Sequence, residues 1–197
     1  MKTTKLAHKG ATINGFTLIE LMVVISIIAI LAAIASPSFL DIKRNSELVS
    51  ATNNLLSALN LARSEGMKRG TSAGIVPTNG GTDWSTGVTV FVDSDLDGAF
   101  DAIKDILISN IEALPSYMSV VNSKAALTAV MFNGSGYAKN VGGNQSNSTF
   151  SIARTDVTDA NTIISQTRRV MVALTGRVKS CKPASATDAN CLATTEN

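Results

Sequence analysis

One carboxylate lies in an otherwise apolar stretch of the chain. From Phe16 to Ala35 there are twenty residues, and Glu20 is the only charged one. Twenty helical residues measure about 30 Å, which matches the hydrocarbon core of a bilayer. A charge inside such a segment is costly unless it is paired. The stretch is therefore predicted to span a membrane, with Glu20 either paired with a positive group or placed at the headgroup level.

Five cations lie close together near the carboxyl end. They fall within fifteen residues that contain no acid: Arg168, Arg169, Arg177, Lys179 and Lys182. Arginine and lysine at a hairpin tip contact phosphates and give affinity without sequence preference. No aromatic residue is interleaved to stack on bases. Two interpretations stay open, a surface that contacts DNA and an ordinary solvated strand-turn-strand.

An acidic loop has the D-x-D-x-D-G spacing that begins many calcium loops. Its carboxylates are Asp93, Asp95, Asp97 and Asp101. The twelfth position holds Lys104, where such loops have a bidentate glutamate, and strands rather than helices are predicted on both sides. We keep the four aspartates as a calcium candidate and otherwise predict no metal or cofactor. The other interpretation is a hairpin connection, since Asp and Gly suit turns.

Cys181 and Cys191 are the only cysteines, with nine residues between them. A domain outside the cytoplasm is predicted, and disulfides persist there. We predict a bridge that adds about 2–3 kcal/mol of stability in the chain-entropy model. Free thiols and metal ligation are the alternatives.

The first fifteen residues form a short basic leader. They carry Lys2, Lys5 and Lys9 and no acid, which holds the amino terminus in the cytoplasm. The full sequence has 17 Lys+Arg and 15 Asp+Glu. Removal of the three leader lysines leaves 14 basic against 15 acidic residues, so the net charge falls close to zero. A chain so close to neutral has no global field that attracts nucleic acid.

The only histidine, His8, also lies in the leader. The rest of the chain therefore lacks the residue required by Ser-His-Asp and Cys-His nucleophiles and by histidine-ligated metals. We predict that the protein is not an enzyme.

An amphipathic helix is predicted over residues 37–70. Its apolar stripe alternates spacings of four and three and contains Leu48, Thr52, Leu55, Leu59, Ala62 and Gly66, widened by Val49 and Leu56. Gly70 is a suitable stop. Pro37 cannot donate its backbone hydrogen bond, so it is predicted to bend or loosen the junction with the apolar stretch.

Strand signals follow from residue 71 onward. Strands are predicted near 72–76, 87–92, 106–112, 116–121, 127–132, 149–154 and 168–174, separated by Gly and Asn clusters. The spacing favours an α+β fold in which a long helix packs against antiparallel sheets. Trp84, Phe132, Phe150 and Tyr137 are predicted to be packing residues rather than ligand contacts.

The run Gly15-Phe16-Thr17-Leu18-Ile19-Glu20 resembles the processing signal of type IV pilins and type II secretion pseudopilins. The resemblance implies that prepilin peptidase cleaves between Gly15 and Phe16 and methylates the new amino terminus at Phe16. It also implies that Glu20 pairs with this positively charged terminus, on a neighbouring subunit or on the same one, during assembly. Pro37 would then be the helix-loosening proline that follows the apolar core.

The run from Leu59 to Gly70 is similar to the helix end of the GspH/FimT group of pilin-like proteins. Trp84 with residues 87–93, and residues 175–181, extend the similarity. The group implies a minor subunit near a filament tip. Gly176-Arg177-Val178-Lys179 looks like the GRxR motif of DNA-binding FimT proteins, with lysine in the last place. Lysine keeps the charge but lacks the bidentate fork of arginine.

The expected organisation has five parts: a cleaved leader at 1–15, a transmembrane and polymerisation helix at 16–36, an amphipathic helix at 37–70, a β-rich domain at 71–182 and a tail at 183–197. The expected function is a FimT-like minor pilin of a type IV pilus that binds DNA for uptake. The alternative is a GspH-like minor pseudopilin of type II secretion. Expected partners are other pilins or pseudopilins, prepilin peptidase, the inner membrane and DNA, with the carboxyl-terminal domain in the periplasm.

Overall fold

The computed structural model describes residues 15–191. Residues 1–14, which hold most of the predicted leader, and residues 192–197 lie outside the described part. So do the side chains of residues 34–38, including that of Pro37. The chain divides into two compact units, one ending at Lys43 and the other beginning at Arg44.

A long helix, α1, extends over Leu18–Arg69. In the first unit its described apolar side chains are exposed, for example Leu18, Leu21 and Ile25. Among the residues that the structure describes, which leave out the side chains of 34–38, no helix is long and apolar enough to cross a membrane. The transmembrane role of residues 16–36 stays a prediction.

The part of α1 that belongs to the second unit is amphipathic, as the sequence indicates. All six residues of the predicted stripe are buried. Ala58, which was not predicted, is buried with them, whereas Val49 is exposed, so widening the stripe to Val49 was wrong. The helix ends where predicted, because Gly70 has a φ of +66° and the amide of Thr71 donates to the carbonyl of Gly66 at 3.2 Å. This is the geometry of a Schellman cap.

In the part of the chain that the structure describes, nine strands follow α1, all paired antiparallel. They are β1 Ser72–Pro77, β2 Val88–Asp93, β3 Ile106–Ile111, β4 Met118–Asn122, β5 Val130–Phe132, β6 Ala138–Lys139, β7 Ser148–Arg154, β8 Thr167–Val172 and β9 Val178–Cys181. Five form one sheet in the order β3-β2-β1-β5-β6, and four form a second sheet in the order β4-β7-β8-β9. A short helix, α2 Ala160–Ser165, precedes β8. The predicted α+β fold is confirmed.

The main core lies where α1 meets both sheets. Leu55 and Leu59 of the helix share one apolar cluster with Phe132 of the first sheet and with Phe150 and Val170 of the second. The Trp84 ring packs edge-on against that of Phe150, with centroids 4.8 Å apart. The predicted packing roles of Trp84, Phe132 and Phe150 are confirmed, whereas Tyr137 is 44% exposed. The core therefore joins the helix and the two sheets into one unit.

All seven predicted strands exist, but two further strands and one α-helix were not predicted. β6 has only two residues, too few for a strand pattern to be visible. β9 reads Val-Lys-Ser-Cys, a largely polar segment that alternation alone does not mark as a strand. Helix α2 has six residues and begins at an Asp159 cap, whose carboxylate accepts from the amide of Thr162 at 2.8 Å.

Candidate functional site

The predicted basic segment forms a β-hairpin at the edge of the second sheet. β8 pairs with β9 in a register that places Met171 opposite Lys179 and Val172 opposite Val178. The amide of Ala173 donates to the carbonyl of Arg177 at 2.9 Å, and the amide of Gly176 donates to the carbonyl of Ala173 at 2.8 Å. These two bonds close the turn that presents Arg177.

Gly176 is required by the geometry of this turn. Its φ is +77°, a left-handed conformation that favours glycine. A Cβ at this position would lie 1.8 Å from the carbonyl oxygen of Gly136. The turn is therefore pressed directly against the backbone of the neighbouring loop, and only a residue without a side chain fits.

Arg63 holds the turn from the helix side. Its Nε donates to the carbonyl of Gly136 at 3.0 Å, and its Nη2 donates to the carbonyl of Thr175 at 3.4 Å. One side chain thus ties α1 to the loop before β6 and to the hairpin turn. This role of Arg63 was not predicted, because the residue lies beside the apolar stripe and its partners are more than 70 residues away in the sequence.

The five predicted cations do not form a single patch. Arg168 is half-buried and donates to the carbonyls of Ser165 and Thr167, both at 2.9 Å, and to the Asn45 side chain at 3.2 Å. Burial lowers the pKa of the Arg168 guanidinium from its ordinary value. Arg169 donates from Nη1 to the carbonyl of Cys191. Both arginines are thus held by the protein's own backbone.

The other three cations face solvent. Arg177, Lys179 and Lys182 are exposed, and within residues 15–191 their side chains form no hydrogen bond or ion pair. Arg177, just before β9, and Lys179 flank the half-buried Val178, so their side chains lie on the same face of the hairpin. The positive charge that is available to a ligand is therefore concentrated at the hairpin tip and just after β9.

The predicted disulfide between Cys181 and Cys191 is present. It links the end of β9 to the described end of the chain. Because Arg169 lies opposite Cys181 in the sheet and also contacts the Cys191 carbonyl, the bridge and this hydrogen bond hold the same segment. Lys182 lies within the loop that the disulfide closes.

Glu20 takes part in a capping box at the start of α1. Its Oε2 accepts from the Thr17 amide at 2.9 Å and from the Thr17 hydroxyl at 3.0 Å, and the Thr17 hydroxyl accepts from the Glu20 amide at 3.3 Å. Thr-x-x-Glu is the sequence signature of this cap. That signal was available in the sequence and was overlooked. Besides its predicted role in assembly, Glu20 therefore stabilises the first turn of the helix.

Three of the four candidate calcium ligands lie together. Asp93, Asp95 and Asp97 each present a carboxylate oxygen within 4.8 Å of the others, and Asp101 is not part of this group. Burial raises the pKa of Asp93, and the backbone N–H groups of Leu96 and Gly98 counteract this rise.

Two family models match the chain. Residues 11–36 match the prokaryotic N-terminal methylation motif, and residues 51–176 match the model described as type II transport protein GspH. The second match covers more than half of the sequence.

The chain belongs to the GspH family.

It is a pilin-like protein of the GspH/FimT type, and both the family and the fold are those of structural pilins. The resemblance stated from the sequence is thus confirmed.

Two curated pilins match short stretches of this GspH-family chain. One is the type IV major pilin protein PilA of Myxococcus xanthus strain DK1622, with 55% identity over 42 residues, 21% of this chain and 19% of PilA. The other is the fimbrial protein EcpC of Eikenella corrodens, with 59% identity over 40 residues, 20% of this chain and 26% of EcpC. The match thus spans about a fifth to a quarter of the length of these relatives.

The fold is similar to that of the type IV minor pilin FimU from Pseudomonas aeruginosa strain PAO1. One crystal form aligns with a TM-score of 0.51 and 21% identity over 69% of this chain and 97% of FimU. A second aligns with a TM-score of 0.50 and 20% identity over 70% of this chain and 95% of FimU. At this identity, the similarity concerns the fold.

Proposed function

We propose that the chain is a FimT-like minor pilin that is incorporated into a type IV pilus. The observation that carries the proposal is the pairing, in one chain, of an N-terminal methylation motif with a GspH region. Prepilin peptidase cleaves between Gly15 and Phe16 and methylates Phe16. Residues 16–36 hold the subunit in the inner membrane, with the carboxyl-terminal domain in the periplasm, until the same helix joins the filament beside other pilins.

Glu20 is the charge that guides this transfer. Its carboxylate pairs with the positively charged amino terminus at Phe16 of a neighbouring subunit, so that both charges are neutralised inside an apolar filament core. A paired carboxylate in an apolar medium is far less costly than an isolated one. Pro37 loosens the helix at the end of this segment.

The capping box allows the charge of Glu20 to be tested apart from its structural role. Glu20→Gln keeps a side-chain acceptor for Thr17, since Gln also serves in capping boxes, but removes the charge. Thr17→Ala removes the cap hydroxyl and keeps the charge. We expect Glu20→Gln to be cleaved normally and to be lost from purified filaments, as Glu20→Ala would be, whereas Thr17→Ala is incorporated. Immunoblots of membranes and sheared pili measure both steps.

Normal incorporation of Glu20→Gln would overturn the charge-pairing role. Loss of Thr17→Ala to the same extent as Glu20→Gln would instead assign the defect to the helix cap.

We further propose that the hairpin tip contacts DNA. Support comes from the three exposed cations Arg177, Lys179 and Lys182. The hydrogen bonds of Arg63 also hold the turn in one conformation in the absence of a ligand. Arg168 and Arg169 contribute to the hairpin's structure rather than to phosphate contacts. Contacts of this kind bind duplex DNA without sequence preference during uptake.

The salt dependence of duplex binding tests this proposal. Three phosphate contacts give a slope of log K against log salt of about −2.7, and the loss of one contact changes the slope by about 0.9. We expect Arg177→Ala and Lys179→Ala each to show this loss, measured by fluorescence anisotropy with residues 44–197. Lys104→Gln, which removes one exposed charge from a loop of the other sheet, is the control. No binding at low salt, or an equal effect of the control, would refute DNA contact.

A role as a minor pseudopilin of type II secretion is the second candidate function. It is favoured by the description of the matching family model as a type II transport protein. Deletion of the gene separates the two candidates. Loss of surface pili with normal secretion supports the pilus, and accumulation of secreted proteins in the periplasm with normal pili supports the pseudopilus.

A further inference from the structure

The loop between β2 and β3 concentrates negative charge. Residues 93–105 contain five aspartates and one lysine. Oxygens of Asp93, Asp95 and Asp97 lie within 4.8 Å of one another. Two ligands of one calcium ion, each about 2.4 Å from it, are at most about 4.8 Å apart. The spacing of the three carboxylates therefore fits a single shared ion.

Asp93 provides an independent observation at this cluster. It is 2% exposed, and its Oδ2 accepts from the amide of Gly98 at 3.2 Å. Its Oδ1 is buried and has no hydrogen-bond partner among residues 15–191. A buried carboxylate oxygen without a partner is unfavourable, because it has lost its water and gained nothing in exchange. A bound cation would satisfy it.

The surrounding loop is ordered by its own hydrogen bonds. Asp105 accepts from the amides of Ser94 at 2.9 Å and Asp101 at 2.8 Å, which ties the two ends of the loop together. Asp97 accepts from the amide of Ala99 at 2.8 Å through Oδ1. Leu96, between two of the aspartates, has a φ of +64°, which is uncommon for a residue of its size.

Lys104 is a cation at the edge of this cluster. Its Nζ lies 2.9 Å from Oδ2 of Asp95, in an exposed ion pair. It stands at the twelfth position, where a calcium loop of the helix-loop-helix type has a glutamate. The ammonium therefore competes with any ion that binds Asp95, and it leaves the unpaired oxygen of Asp93 unsatisfied.

We propose that Asp93, Asp95 and Asp97 form a calcium site that ties β2 to the loop leading into β3. The donor set consists of carboxylate oxygens, which suits a hard divalent cation. With three carboxylates, no acidic twelfth residue and a competing lysine, the site belongs with the weak sites of extracellular modules, whose dissociation constants are about 0.1–1 mM. The assignment is independent of the role in a pilus or in secretion.

Thermal unfolding of the full-length protein in detergent tests the proposal. After removal of metals with a chelator, unfolding is followed by the fluorescence of Trp84 in CaCl2 or MgCl2 at constant ionic strength, and calcium affinity is measured by isothermal titration calorimetry. We expect calcium at about 10 mM to raise Tm, because an ion that binds only the folded state stabilises it. Magnesium should raise Tm less than calcium does, since it requires a smaller octahedral site.

Three variants locate the effect. Asp97→Asn should keep the wild-type Tm in chelator and bind calcium at least about tenfold more weakly. Lys104→Gln removes the competing ammonium and should bind calcium about two- to fivefold more tightly. Glu112→Gln, which removes an exposed carboxylate elsewhere in the domain, should behave as wild type.

The proposal is overturned if the wild-type Tm does not respond to calcium, or if Asp97→Asn responds as the wild type does. If magnesium raised Tm as much as calcium, and the rise persisted in Asp97→Asn, the effect would be general charge screening. Weaker calcium binding by Lys104→Gln than by the wild type would also contradict the site.

Discussion

At the scale of single residues, the shape of the candidate interface depends on Gly176 and Arg63, which hold the hairpin turn in place. Gly176 lets the hairpin turn lie against Gly136, and Arg63 fastens both segments to α1. These contacts fix the position of the hairpin turn and therefore the positions of the exposed Arg177 and Lys179. A mutation of the uncharged Gly176 is therefore expected to disturb the hairpin.

Gly176→Ala tests this view, with Gly143→Ala as its matched control. Both glycines have a φ near +80°, but at Gly143 a Cβ meets no atom within 4 Å. The left-handed conformation alone costs a residue with a Cβ about 1–2 kcal/mol, whereas the clash at Gly176 adds about 1–3 kcal/mol. We expect urea unfolding to show the larger loss in free energy of unfolding for Gly176→Ala. Equal losses would contradict the tight contact.

At the scale of elements, one ionic cluster connects the helix to the second sheet. Asp156, just after β7, binds Arg154 with two hydrogen bonds of 2.9 and 2.8 Å and binds Arg44 of α1 at 2.5 Å. Arg44 also lies over the ring of Tyr117, 5.0 Å from its centroid. The hydrogen bonds from Arg154, with the charges of Arg154 and Arg44, hold the pKa of Asp156 below its ordinary value despite partial burial.

The lowered pKa of Asp156 predicts a pH dependence of stability. A carboxyl group whose pKa is lower in the folded state stabilises the fold above its unfolded pKa of about 3.9 and loses this effect as pH falls through the folded value. Asp156→Asn should therefore reduce the free energy of unfolding at pH 7 by about 2 kcal/mol. The difference from wild type should shrink progressively below about pH 4. Urea titrations from pH 2.5 to pH 7 measure it, and a difference independent of pH would contradict the ionic origin.

At the scale of the whole molecule, the described core lies in the second unit, whereas the described apolar side chains of the first unit are exposed. Of the side chains that the structure describes, every buried apolar one lies between Leu48 and Cys191. The described apolar side chains of residues 16–31 are exposed. Such a division suits a subunit whose second unit folds by itself and whose first segment is covered by lipid or by other subunits.

This division predicts that residues 44–197 fold without the preceding segment. Since the described residues of the removed part contribute no buried apolar side chain, Tm should change by less than about 3 °C relative to the full-length protein. Near-ultraviolet circular dichroism and calorimetry measure the packing of Trp84 and the cooperativity of unfolding. A broad transition or lost tertiary signal would show that the core requires residues before 44.

Much of this architecture could be predicted from local patterns. The 3.6-residue stripe from Leu48 to Gly66 marks the packed face of α1, and Gly70 marks its end, because helix periodicity and caps depend on neighbouring residues alone. All seven predicted strands exist for the same reason. With only two cysteines in the chain, the disulfide had a single possible pairing.

Only the tertiary structure decided which of the predicted site residues remain exposed to a ligand. Arg168 and Arg169 are adjacent in sequence, yet one contacts α1 and the other contacts Cys191, because successive residues of a strand face opposite sides. Arg63 reaches partners 73 and 112 residues away, and the burial of Asp93 depends on the packing around β2. Strand register and packing between sheets set these long-range contacts, and no local pattern encodes them.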